Sequence, residues 1–153
     1  MPRDIASVKK IIVHCSDSDF GDRALIDVWH RQMGWSGCRY HYVICNGKAD
    51  HYLPYDPELD GKIQRARPLD IIGDHCRGHN SESVGICLIG RNLFSSSQLY
   101  RALPFLLNKL LKILDVDEQA IFGHRDFNAN KTCPNIDTKL LRQSLFLKTD
   151  GVD

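Results

Sequence analysis

The chain has 153 residues, 42% of them hydrophobic, which is enough for one domain with its own core and too little for two. A formal net charge of +1 gives no polyanion-binding footprint, so nucleic acid is not expected as a partner. The charged start Met-Pro-Arg-Asp-Ile lacks the apolar segment of a signal peptide and no apolar run approaches a bilayer's thickness, so the expectation is a chain made in the cytoplasm with no membrane association.

In chain order, the β-branched run Val8 to Val13 ends in His14, Cys15 and Ser16, which predicts a buried strand with His14 at its carboxyl end. Alternation then turns Cys15 away from whatever His14 faces, making it a packed thiol. Asp22 can cap a helix whose apolar stripe is Leu25, Ile26, Trp29 and Met33, with Gly34 as its stop. His30 lies one position off that stripe and reads as a surface or boundary residue.

Tyr40 to Cys45 predicts a second strand and Asn46-Gly47 a turn, followed by residues 48–60 as an inserted loop with neither helical nor strand period. A short strand is expected from Asp60 to Ile63. Because side chains alternate, His41 should face away from Tyr40 and be a buried histidine with a backbone partner. Ser83 to Ile89 is almost continuously apolar, as a central strand covered on both faces requires. Ser97 to about Leu114 is amphipathic, and Pro104 within it should kink the helix at a cost of roughly 3 kcal/mol. Ala120 to Gly123 predicts a short strand, and Ile136 to about Leu147 a last helix with Leu140, Leu141 and Leu145 on its inner side. The expected class is α/β: a single domain over 1–153, core about 9–147, with a central mixed β-sheet flanked by helices.

The stretch from Gly123 to Pro134 carries the chemistry. It delivers His124 into a polar loop that closes on Cys133, which Pro134 restricts to extended conformations. One histidine and one cysteine are half of a zinc site, so further ligands must come from elsewhere. A loop histidine beside a half-buried cysteine is the bland alternative. The six cysteines, in a chain without a signal peptide, are expected as reduced thiols with no disulfides.

His14 ending the first strand, Tyr40-His41 opening the second, Gly73 to Asn80 before the central strand, and Gly123-His124 to Cys133-Pro134 occur in an order that resembles the N-acetylmuramoyl-L-alanine amidase family of the phage T7 lysozyme and peptidoglycan-recognition-protein type. The resemblance runs from about Lys10 to about Leu145. It implies a zinc ion in a surface cleft, held by His14, His124 and Cys133, with water as the fourth ligand, and Tyr40 and Lys131 as the catalytic side chains. His75 would line the substrate groove, with Asn80 fixing the loop or the ligand. Arg39 stands where relatives carry glycine, so either the backbone there would differ or Arg39 would contact the acidic stem peptide.

The activity implied is hydrolysis of the amide between N-acetylmuramic acid and L-alanine in peptidoglycan, by a monomer. The absence of a signal peptide or a wall-binding module points to a phage or prophage endolysin that reaches the wall after membrane permeabilisation. Three rivals remain at this stage. A non-catalytic peptidoglycan-binding module is disfavoured by Cys133, a protein-binding regulator is marked by no surface, and a cysteine hydrolase using Cys133 and His124 would need no metal.

Overall fold

A computed structural model describes residues 1–146. Five strands form one sheet: β1 (Lys10–Cys15), β2 (Tyr42–Asn46), β3 (Asp60–Arg65), β4 (Ser83–Leu88) and β5 (Ile121–Gly123). Their order is β3-β2-β4-β1-β5, so the continuously apolar β4 is the middle strand, as its composition requires. β1, β2, β4 and β5 run parallel and β3 pairs antiparallel with β2, which makes the sheet mixed.

Three α-helices flank it: α1 (Arg23–Gln32), α2 (Leu103–Leu114) and α3 (Thr138–Gln143). Asp22 caps α1 by accepting from the Leu25 N–H at 2.8 Å. Ile26 is buried and Trp29 packs beside it, whereas Met33 is 62% exposed, because α1 ends at Gln32 and Met33 turns out with the cap. Pro104 does not kink α2. It occupies the helix's first turn, where no intrahelical donor is lost, and the irregularity falls just before it as a wide π-type turn over Gln98–Ala102.

The last helix is shorter than its pattern suggested. α3 stops at Gln143 and passes into a tighter turn, Leu141 is buried, and Leu140 is 58% exposed. The expected end at Leu147 lies outside the described residues. β3 is longer than expected, since pairing with β2 carries it to Arg65. Gly47 adopts φ +95° in the turn after β2, a conformation that glycine permits at no steric cost.

The two faces of the sheet receive alternate residues of the same strands. Ile11, Val13, Val84, Ile86 and Leu88 pack under Leu103, Leu106, Leu107 and Leu110 of α2 in the main core. The opposite face carries Val43, Cys87 and Ile89 under Ile26 and Trp29, and beside them the histidines. All six cysteines are free. Among the described residues, no helix is long and apolar enough to cross a membrane.

Candidate metal centre

His14 is 1% exposed at the carboxyl end of β1, and β5 lies beside it, so the chain leaving β5 puts His124 next to it, Nδ1 to Nδ1 at 3.1 Å. The loop that follows is closed by its own backbone. The Arg125 N–H donates to the Cys133 carbonyl at 2.9 Å, and the Lys131 N–H to the Asn128 carbonyl at 3.0 Å. Asp126 accepts from the Gly123 N–H at 2.9 Å and bonds the Thr138 hydroxyl, which ties the His124 turn to α3. Gly123 has no room for a side chain: a Cβ there would sit 2.8 Å from Pro134 Cδ, so the glycine lets the Cys133 segment pack against β5.

The donor atoms of His14, His124 and Cys133 consequently lie within 4.8 Å of one another. A tetrahedral zinc with bonds of about 2.0–2.3 Å keeps its donors about 3.3–3.8 Å apart, and two imidazoles with one thiolate are a zinc-type set with a fourth position free. The residues therefore fit the ion. Cys15 is outside the donor set but is not turned out of reach: its backbone N–H lies 3.0 Å from the Cys133 sulfur and its thiol also bonds the Cys133 thiol.

Burial keeps His14 and His75 neutral, well below the ordinary histidine value, and the neighbouring imidazoles add to the effect. His124 is lowered first by burial and then by the charge of Lys131, which brings that ammonium close to the site although it is exposed. The neighbouring Cys15 thiol, and then burial, hold the Cys133 thiol above its ordinary value. A bound cation reverses that preference, because it favours the thiolate.

His124 opens into a cleft of about 730 Å³ whose walls include Tyr40, His75, Arg39, Trp35, His30 and Lys131. A comparable groove of about 800 Å³ runs along α2, but no histidine or cysteine reaches its walls. Tyr40 precedes β2, its ring 5.1 Å from that of His14, and burial raises its phenol well above the ordinary value. His41, one residue on, points the other way and is fully buried. Its Nδ1 accepts from the Gly85 N–H at 3.0 Å and its Nε2 donates to the Ile71 carbonyl at 2.8 Å, the backbone-partnered role the alternation suggested.

The structure adds detail to three of the remaining expectations. Asn80 does not reach the cleft: its Oδ1 accepts from the His75 and Cys76 N–H groups at 2.8 and 2.9 Å, so it fixes the loop. His75 lines the cleft as expected, although it is only 9% exposed, and its Nδ1 lies 2.8 Å from His14 Nε2, so it also supports that ring. Arg39 is already paired with Asp74 and lies 3.7 Å over the Trp35 ring, so its charge is largely spent within the wall.

Two residues gave no sign of their role in the sequence. His30 is at the boundary as expected, yet its Nδ1 accepts from the Arg39 N–H at 3.1 Å and its ring meets Tyr40 at 5.7 Å. Arg3 donates to the Leu69, Asn80 and Ser83 carbonyls at 2.8, 3.0 and 2.7 Å, pinning the loop that carries His75. A run of chain-end charge offers no periodicity from which to read such a tie.

Residues 4–136 match the family described as N-acetylmuramoyl-L-alanine amidase. The endolysin of Klebsiella phage KP32 is 32% identical over 142 residues, spanning 85% of this chain and 82% of that protein. The endolysin of Escherichia phage T7 is 28% identical over 141 residues, spanning 87% and 84%. Among solved structures, the N-acetylmuramoyl-L-alanine amidase LysC from Clostridium intestinale URNW superposes with a TM-score of 0.76 at 24% identity, over 97% of this chain and 92% of that one. Drosophila PGRP-LB superposes with a TM-score of 0.62 at 22% identity, over 88% and 76%. These two likenesses show the shared fold, and the match over residues 4–136 shows more: the chain belongs to the N-acetylmuramoyl-L-alanine amidase family.

Proposed function

We propose that this chain is a zinc-dependent amidase, an endolysin that acts on the cell wall by cutting between the lactyl group of N-acetylmuramic acid and the L-alanine of the stem peptide. The observation that carries the reading is the convergence of His14 and Cys133 on His124, which lines a cleft together with Tyr40 and Lys131. When bound, zinc supplies Lewis acidity, lowering the pKa of a coordinated water to about 7 and polarising an acyl oxygen.

The chain's own residues do the rest. Lys131 brings an ammonium to the negative charge that develops on the carbonyl oxygen, where a fixed cation in a cleft is most effective. Tyr40 stays protonated at neutral pH, so its phenol is a hydrogen-bond donor to the tetrahedral species and not a base. Every group invoked comes from one chain, so a monomer suffices, with peptidoglycan as its partner.

Neither rival chemistry finds the groups it needs. Glycoside cleavage calls for two free carboxyls across the sugar, whereas Asp74 is paired with Arg39 and Asp126 is engaged by Gly123 and Thr138. A thiol nucleophile calls for a depressed pKa, and the bonded Cys15–Cys133 pair puts that depression on Cys15, outside the donor set, and not on Cys133.

Metal analysis is expected to find about one zinc per chain, lost in Cys133→Ser and His14→Ala. Digested peptidoglycan is expected to gain L-alanine N-termini without new reducing sugar ends. Reducing ends or other N-termini would overturn the amidase reading, and metal-free protein that still lyses walls would replace zinc with the thiol.

A further inference from the structure

The hydrogen bonds behind His14 continue beyond it in a line. His14 Nε2 lies 2.8 Å from His75 Nδ1, His75 Nε2 lies 3.3 Å from Ser83 Oγ, and the Ser83 hydroxyl donates to the His79 carbonyl at 2.7 Å. A carbonyl can only accept, so the direction of every bond follows. Ser83 spends its one proton on His79, and can only accept from His75. His75 therefore carries its proton on Nε2 and presents a lone pair at Nδ1. His14, buried and neutral, must then be protonated at Nε2, which leaves its Nδ1 lone pair facing His124 and Cys133.

We propose that His75 is a positioning residue, which fixes the His14 ring in the one tautomer and orientation that can ligate the metal. This rests on the zinc reading of the site above. Metal-binding histidines commonly give their second N–H to an oxygen acceptor, and here a neutral imidazole takes that place. It is a weaker acceptor than a carboxylate and brings no negative charge into a pocket that already holds the Cys133 sulfur.

The surrounding chain is shaped to hold this ring. A Cβ on Gly85 would come within 2.6 Å of the His75 ring and one on Gly73 within 2.9 Å, so two glycines leave the space it fills. Asn80 and Arg3 anchor the backbone on either side, through the His75 N–H and the Ser83 carbonyl. His124 has no such support. Its Nδ1 lies against the His14 Nδ1 lone pair, and among the described residues no second side chain holds its ring as His75 holds that of His14.

The test is zinc affinity, measured by competition with a chromophoric chelator on wild type, His75→Phe and His75→Asn. Phenylalanine keeps the ring volume without an acceptor, whereas asparagine leaves space empty but puts Oδ1 where Nδ1 was. Packing alone predicts that Phe is tolerated better than Asn, and positioning predicts the reverse. His75→Phe is expected to weaken zinc binding by about 10- to 100-fold, with His75→Asn restoring most of it.

Equal affinity in wild type and His75→Phe, or weaker binding in Asn than in Phe, overturns the proposal. Long-range proton–nitrogen NMR on metal-free wild type reads the tautomers directly, whether or not the variants fold, and a proton on His14 Nδ1 overturns it equally. If wild type binds no zinc at all, the zinc reading fails, while the NMR still decides the hydrogen-bond chain.

Discussion

The two faces of the sheet are built from the same strands and obey opposite rules. On the α2 face, Ile11, Val13, Val84, Ile86 and Leu88 pack with the leucines of α2 and other apolar residues, where volume-conserving apolar exchanges are tolerated best. On the other face, the intervening positions of β1 and β4 pair Ile12 with Gly85 and His14 with Cys87, so an imidazole donor and a glycine kept small beside His75 stand among apolar neighbours. A single strand thus supplies rigidity through one set of residues and chemistry through the next. The apolar face holds the backbone still, so that the polar face can present imidazoles at hydrogen-bond distances.

This division can be broken first from the α2 side. Leu107→Ala removes a fully buried side chain and is expected to lower stability by about 2–5 kcal/mol in denaturant unfolding, with zinc content unchanged. Zinc loss at temperatures where that variant is still folded would mean that the faces are coupled. On the polar face, Tyr40→Phe and Lys131→Ala are expected to keep zinc and melting temperature while turnover on purified walls falls by roughly a hundredfold. Wild-type turnover in either would reduce that residue to wall or solvated loop.

The smallest effect sharpens the boundary between the faces at His41. Burial lowers its pKa from 6.5 to about 4 in the folded state, so on acidification the unfolded chain takes up the proton first. Its contribution to stability is full above about pH 6.5 and is lost as pH falls toward 4, at most about 3 kcal/mol. His41→Asn, which cannot titrate, is expected to flatten the melting temperature over that window. An unchanged slope would assign the acid sensitivity to other groups.

How much of this was legible depends on the range of the interaction. Local pattern sufficed for His14 at a strand end, for the buried middle strand and for the Asp22 cap, because period and capping act within a few residues. It failed where long-range partners decide. The Leu140 side chain had the right spacing but is exposed in the short α3, and whether Asn80 fixes the loop or the ligand was decided only by its backbone N–H partners. His75 was visible as a chemical residue, but its partner, His14, lies 61 positions away.

The parallel pairing of β5 beside β1 also sets an order of events during synthesis. The two histidine ligands are 110 positions apart, and the cysteine sulfur meets the β1 backbone across a separation of 118. Contacts of such sequence distance form late, after the chain between them has collapsed. A nascent chain that has released β1, β2 and β4 can complete most of its sheet yet offers a cation only one of the three donors. On the proposed zinc reading, metal capture waits for the segment through Cys133, because until then the three donors cannot meet.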